Sequence, residues 1–223
     1  MKKEAPNLDE VLSDLAAIKE AFLKSSGIFR FFDAGGLLRG VLLIGGILIA
    51  FFAAAFHLLV KHYGTFAAAP AHYKALFWIL LALSIPLTAY LKINNFLRGA
   101  RLVKSNMTLY KLIKEIYTPQ FISMSLPHLA AIALAVFFLY QKEMTLYLVP
   151  VLALLFGLFT VSLSLVFYMK WVYLLGFWLV AAGLLTLFAA ERLSIPAMLV
   201  LSFSAGFILA ALYLYARPSG SGS

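Results

Sequence analysis

Six long apolar stretches, separated by short polar segments, dominate the pattern along the chain. They lie at about residues 37–60, 73–91, 119–140, 145–168, 171–190 and 195–215. Each is close to the ~20 residues that an α-helix needs to cross ~30 Å of hydrocarbon. Inside a bilayer the backbone must satisfy its own hydrogen bonds, so apolar stretches of this length predict helices. We therefore predict an all-α, polytopic membrane protein, and we call these stretches spans one to six.

A shorter helix is predicted before the first span. From residue 8 to residue 24, charged residues alternate with an apolar stripe at spacings of three and four, formed by Leu8, Val11, Leu15, Ile18 and Phe22. This stripe is typical of an amphipathic helix that lies on a surface. Aromatic residues and an arginine in 28–36 then indicate an elbow at the membrane interface. We expect residues 1–36 to be cytoplasmic and interfacial, 37–216 to form the six-span domain, and 217–223 to be a tail that ends in an added Gly-Ser linker.

The longest polar segment, residues 92–118, joins spans two and three and is called the connector. Ser105-Asn106 interrupts it, and Thr118 with Pro119 supplies a cap and a first turn for span three. We therefore predict two amphipathic helices, of which the first continues span two. Their apolar positions recur at spacings of three and four, as a heptad-like seam of Ile93, Phe96, Ala100, Val103, Met107, Tyr110, Ile113 and Tyr117.

Composition and charge support a membrane location and give an orientation. Of the 223 residues, 64% are hydrophobic and 12% are charged, whereas soluble domains are about half apolar and about a quarter charged. The formal charge of +9 would suggest nucleic acid for a soluble protein, but these bases flank apolar spans, so we expect no nucleic-acid partner. The N-terminal segment and the connector each hold six Lys or Arg, and the loops of the opposite side hold four. The positive-inside rule then places both termini and the connector in the cytoplasm, as in a bacterial inner-membrane protein.

Several kinds of chemistry lack the residues they need. The chain has no cysteine, which excludes disulfides and thiolate ligands. His57 and His62 are five residues apart rather than the four that point two imidazoles at one metal. No serine pairs with a histidine in a Gly-x-Ser-x-Gly setting, and no pair of acids lies at membrane depth. We therefore expect no enzyme activity, no cofactor and no metal.

Small residues form two rows that let helix backbones approach closely. Gly46, Ala50 and Ala54 are spaced at four residues along span one, and Ser202, Gly206 and Ala210 are spaced likewise along span six. We interpret both rows as contacts inside the six-helix bundle, with a dimer seam as the alternative.

Apart from tyrosine, one titratable group lies well inside the predicted spans. His128, beside Pro127, is about nine residues into span three, which is roughly 13 Å at 1.5 Å per residue. Such groups are functional candidates, since burying them in a membrane is costly. A transporter or channel for a small solute or a lipid is therefore one hypothesis, with a hydroxyl-lined path near Pro86, Thr88, Pro127 and His128. The structural alternative is that the hydroxyls bond to their own helix or across helices.

The basic face of the connector is the other candidate site. Its members fall mostly away from the apolar seam, and they are Arg98, Arg101, Lys104, Lys111 and Lys114. Anionic lipid gains ~1 kcal/mol for each base near the surface. The protein's own N-terminal helix is a second partner, because residues 4–14 hold four acids and no base. A separate acidic protein is the third. We expect the two cytoplasmic helices to pack through their apolar stripes, with lipid phosphates at the rim.

Along the chain, a predicted short cytoplasmic helix that ends at Ser26 is followed by a Gly-rich first span (Gly40-Val-Leu-Leu-Ile-Gly-Gly46). A basic connector and four more spans come after them. This order resembles an uncharacterised group of small bacterial multi-span membrane proteins, and the resemblance implies no activity. We therefore expect a membrane scaffold or accessory subunit without a catalytic site. It would bind phospholipid, a partner membrane protein or a second copy through its cytoplasmic helices.

Overall fold

The computed structural model of the protein describes residues 37–103, 105–167 and 169–216. Within these ranges the secondary structure is helical, without strands. The predicted amphipathic helix over 8–24, the interfacial elbow, Lys104 and the tail lie outside the described residues.

Six helical stretches are long and apolar enough to cross a membrane, which confirms that part of the prediction. Span six is interrupted by a short π-helical segment, so its parts carry separate labels. The elements are α1 (Leu37–Tyr63), α2 (Ala71–Val103), α3 (Leu109–Ile116), α4 (Pro119–Gln141), α5 (Leu148–Phe167) after a 3-10 turn (Thr145–Tyr147), α6 (Lys170–Phe188), α7 (Ile195–Leu199), the π segment (Val200–Ser204) and α8 (Ala205–Ala216).

The connector folds as the predicted pair of helices. Span two continues without a break to Val103, and α3 begins at Leu109 after a turn that contains Ser105-Asn106. The Thr108 side chain accepts a hydrogen bond from the Lys111 N–H and caps α3. Thr118 caps α4 in the same way, with Pro119 at its first turn. These caps satisfy N–H groups that have no partner inside a helix.

The principal helix contacts run in the order two, one, six, five, four, three. Neighbours in this order are antiparallel. Gly46 of span one, for example, lies against Ser204 and Ile208 of span six, while the Arg39 guanidinium lies 4.5 Å from the Tyr215 ring centroid. Span five is the most buried of the six and span two the least. Spans two and three therefore stand at the two ends of the packing order, joined by the connector.

The alternation of direction places the starts of spans one, three and five at one end of the bundle, with the ends of spans two, four and six. The connector lies at this end, which we call the connector face. The loop that joins spans one and two lies at the other end, the opposite face. There, an aromatic cluster holds these two spans together, with ring centroids of Phe52 and Phe77 5.6 Å apart and those of Phe56 and Phe66 5.3 Å apart.

Glycines set the closest packing, which is between spans four and five. A Cβ added to Gly176 would lie 2.7 Å from the Val161 nitrogen and 2.9 Å from the Gly157 carbonyl oxygen. Gly157 and Gly183 are as tightly enclosed by the facing backbone. Helices in a membrane associate through such close van der Waals contact, because lipid removes the hydrophobic drive between them.

The π segment is tied to its neighbours by two hydrogen bonds. The Ala205 N–H bonds the Val200 carbonyl five residues earlier, so the Leu201 carbonyl lacks its usual helical donor. The indole of Trp178 supplies one instead, at 3.1 Å. The Ser204 hydroxyl donates to the Gly46 carbonyl at 2.7 Å, which links spans one and six at a fully buried position.

Candidate functional site

A large apolar groove lies between span two and the body of the bundle. Its volume is about 1300 Å³, above the ~300–1,000 Å³ of ordinary small-molecule pockets. Spans one, four, five and six supply the back of the groove, and span three supplies a single residue, Phe121. Ile85 and Ile93 line the groove yet are 63% and 46% exposed, so it is open to its surroundings rather than sealed.

The stripe of span two that lines the groove runs through most of the membrane depth. Its members share one face of the helix, at spacings that return to three and four: Phe77, Leu81, Ser84, Ile85, Thr88, Ala89, Lys92, Ile93 and Phe96. The first and last of these are about 28 Å apart at a rise of 1.5 Å per residue. That length is close to the ~30 Å thickness of the hydrocarbon core.

The serine and threonine hydroxyls that line the groove form hydrogen bonds within their own helices. The Thr88 hydroxyl lies 2.8 Å from the Ser84 carbonyl oxygen and 2.9 Å from that of Ile85. Ser84 donates to the Leu81 carbonyl at 2.8 Å, and Thr160 donates to the Phe156 carbonyl at 2.6 Å. Because each hydroxyl proton is used locally, the wall offers hydrocarbon contact rather than a row of donors for a polar solute.

The end of the groove at the connector face is its charged end. Lys92 is the charged member among the described lining residues, and its ammonium lies 5.8 Å from the Phe96 ring centroid. Trp171 and Tyr117 line the same end, and α3 adds Leu109, Leu112 and Ile113. At the far end the lining is aromatic and aliphatic, as with Phe56, Phe77 and Pro196. The groove is therefore polarised along the membrane normal.

The predicted basic residues lie on the two helices that line the connector end, although none of those described lines the groove itself. Arg98, Arg101, Lys111 and Lys114 are all exposed, and Lys104 lies outside the described residues. The Arg101 Nε–H donates to the Met107 carbonyl at 3.3 Å, so this side chain also holds the turn before α3. Ala100, Met107 and Leu112 form a buried cluster that fixes α3 against the end of span two. The bases thus lie on a folded pair of helices at the connector face.

The four residues of the predicted pathway fall in two places. Thr88 lines the groove, whereas Pro86 on the same helix is exposed and belongs to another face. Pro127 and His128 lie on span three, away from the groove lining. The structure therefore does not gather the four into one continuous lining.

His128 is held against span four. Its Nδ1 lies 2.9 Å from the Met124 carbonyl oxygen, and it must carry the proton there, since a carbonyl oxygen only accepts. Its Nε2 lies 3.5 Å from the Ser162 hydroxyl, and its ring packs 5.2 Å from the Phe159 ring. These contacts are sufficient to account for the histidine as a link between the two spans.

No protein-family model, curated protein or solved structure matches the chain. The groove and the connector are therefore the basis for a functional assignment. Among the described residues, no group of three His, Asp or Glu side chains is placed to hold a metal ion.

The groove itself was not predicted from the sequence. Lys92 and Trp171 flank apolar spans, which is typical of interfacial residues, and nothing in their spacing indicates that they share a lining. The available signal was the unbroken stripe on span two, which continues through Lys92 into the connector. An apolar helix face can contact lipid as favourably as it contacts a neighbouring helix. The sequence therefore does not show whether this stripe packs against the bundle or lines a groove.

Proposed function

We propose that the protein is a non-catalytic integral membrane protein that binds anionic lipid on its cytoplasmic side, as a scaffold or accessory subunit. The observation that carries the proposal is the polarised groove. Its walls are apolar, Lys92 is the charged member among the described lining residues, and the exposed bases of the connector lie on span two and α3, which both line that end. Hydrocarbon chains fit the walls, and a phosphate fits the charged end.

The energies favour a lipid that carries a negative charge. Each basic residue near an anionic membrane surface contributes about 1 kcal/mol, and four described bases besides Lys92 lie on the connector. Burial of an acyl chain contributes about 0.8 kcal/mol per CH₂ when the chain is transferred from water. A chain that enters the groove from the bilayer is transferred from hydrocarbon, so it does not gain this energy. Selectivity among lipids therefore comes from the charged end and from the fit of the groove.

A transporter for a small polar solute is less well supported. The groove hydroxyls donate to carbonyls of their own helices, and His128 bonds within spans three and four. Transport of a lipid is the form of this alternative that the geometry favours, because the groove extends across most of the hydrocarbon thickness. Scaffold and lipid carrier share the same first step, which is binding of the lipid.

Native mass spectrometry in mild detergent tests the binding step. The protein is presented with equimolar phosphatidylglycerol and phosphatidylcholine, and we expect the anionic lipid to be retained in preference. In the variant with Arg98, Arg101, Lys111 and Lys114 changed to Gln, that preference should fall at least tenfold. The matched control removes the same number of charges from the other side of the chain, at Lys61, Lys74, Lys142 and Arg192.

The control variant should keep the wild-type preference, because its charges lie away from the charged end of the groove. Equal retention of the two lipids by the wild type would contradict the proposal. So would a preference that both variants lose to the same degree, since general attraction to positive charge would then explain it.

A further inference from the structure

The groove is longer than one leaflet, and this limits the lipid that can fill it. From the Lys92 level to the Phe77 level of span two is 15 residues, or about 22 Å at 1.5 Å per residue. Half of a ~30 Å hydrocarbon core is about 15 Å, which is the depth that a leaflet lipid occupies. A lipid anchored at the connector face with ordinary acyl chains would leave the far part of the groove unfilled.

The charge pattern requires one anionic group at one end. Lys92 marks the connector end, and its side chain is exposed, so a phosphate can reach the ammonium. The far end, with Phe56, Phe77 and Pro196, offers no charged member among the described lining residues. Two lipids from opposite leaflets would bring a second headgroup to that apolar end, where Lys74, one turn before Phe77, does not line the groove and donates to the Ala67 carbonyl at 2.9 Å.

We infer that the groove is a binding site for a lipid phosphate with a single hydrocarbon chain longer than one leaflet, that is, a polyprenyl phosphate. The phosphate binds Lys92 at the connector face, and the chain lies along the stripe of span two toward Phe77. The inference rests on the proposed function, because it names the anionic lipid that the groove takes. It explains both the length of the groove and its single charged end.

Chain length is the quantity to vary in the test. The protein in mild detergent is given equal concentrations of a C55 polyprenyl phosphate, a C15 polyprenyl phosphate and phosphatidylglycerol, and bound lipid is counted by native mass spectrometry. We expect the C55 phosphate to be retained at least tenfold above either competitor. Lys92→Gln should reduce retention of both polyprenyl phosphates about fivefold, the effect of one base near a phosphate. Lys142→Gln, a charge lost at the opposite face, should leave it unchanged.

Tryptophan substitutions at two depths test how far the bound chain extends along the groove. Leu81→Trp fills the groove about 16 Å from Lys92, beyond the reach of a leaflet chain, and Ile85→Trp fills it at about 10 Å. Leu81→Trp should remove the advantage of the C55 phosphate and spare the C15 phosphate, while Ile85→Trp should reduce both. Leu83→Trp is the matched control, since Leu83 is exposed on the same helix but does not line the groove. Leu81→Phe repeats the test if the tryptophan variant does not purify as a single species.

Two results would overturn the inference. One is equal retention of the C55 phosphate by Leu81→Trp and Leu83→Trp, and the other is preferential retention of phosphatidylglycerol by the wild type. Either result would leave the proposed function standing, provided that anionic lipid is still preferred to phosphatidylcholine. Loss of that preference in the wild type would instead remove the proposed function itself.

Discussion

At the residue scale, the smallest side chains determine how closely the spans approach. Gly157, Gly176 and Gly183 place the backbones of spans four and five in direct contact. The rows predicted from spacing were right in part, since Gly46 and Gly206 do face neighbouring helices, while Ala54 is exposed. The tightest contacts were missed, because these three glycines share no four-residue spacing within one helix. A pairing between helices cannot be read from the spacing within either.

Gly176→Ala should destabilise the bundle. Its Cβ would meet the backbone of Val161 and Gly157 below 3.0 Å, so the helices must separate. Overpacking of this kind costs about 1–3 kcal/mol. Gly40→Ala is the control, because nothing lies within 4 Å of the position that its new methyl group would take, and alanine is the better helix former. Thermal unfolding in detergent should show a lower Tm for the first variant and no decrease for the second. An unchanged Tm for Gly176→Ala would contradict the close packing.

Two buried serines in span six should respond differently to the same change. Ser204→Ala removes the hydroxyl that donates to the Gly46 carbonyl, which should cost about 1 kcal/mol. Ser202 is as deeply buried but has no hydrogen-bond partner among the described residues, so Ser202→Ala should leave stability unchanged or raise it. Chemical unfolding in mixed micelles compares the two. Equal losses would show that volume, not the hydrogen bond, is what matters.

At the element scale, the connector shows what spacing predicts and where it fails. The break, the Thr118 cap and the continuation of span two were predicted from the sequence, whereas the Thr108 cap of α3 was not. The predicted apolar seam does not form a single buried stripe across the two connector helices. Tyr110 is 75% exposed, whereas Leu112, which lay outside the seam, is buried against Ala100 and Met107. The turn before α3 resets the helical phase, so a spacing counted across it no longer refers to one face.

Leu112→Ala should loosen α3 without unfolding the spans. The side chain is 4% exposed in the cluster that fixes α3, and deletion of a buried leucine side chain costs about 2–5 kcal/mol. Ile113, next to it, is 46% exposed and supplies the control Ile113→Ala. Hydrogen–deuterium exchange should rise over 105–117 in the first variant and stay low in the second. If both variants exchange alike, α3 is not held by this cluster.

At the scale of the whole molecule, the number of spans followed from hydrophobic length alone. The helices Pro119–Gln141 and Lys170–Phe188 begin and end within two residues of the predicted spans. The order in which the spans pack, and therefore the groove, did not follow. In a bilayer, lipid and neighbouring helices are equally apolar partners, so hydrophobicity does not distinguish a packed face from an open one.

The orientation of the whole molecule is a prediction that single cysteines can test. Because the chain has no cysteine, each added thiol reports on one position without background. Asn106→Cys lies in the connector turn and Glu143→Cys in the loop of the opposite face, and both positions are exposed. In intact bacterial spheroplasts, a membrane-impermeant maleimide should label position 143 only, and position 106 should react after lysis. Labelling of position 106 in intact spheroplasts would reverse the predicted orientation.

Photo-crosslinking can map whether an anionic lipid occupies the groove. The probe is an anionic phospholipid with a diazirine in its acyl chain, incorporated with the protein in vesicles and mapped by peptide mass spectrometry. We expect adducts concentrated on lining residues within the depth of one leaflet, such as Ile85 and Thr88, with few on exposed residues outside the groove such as Phe137 and Phe188. Adducts spread evenly over all exposed apolar residues would contradict it, because the groove would then hold lipid no longer than any other part of the surface.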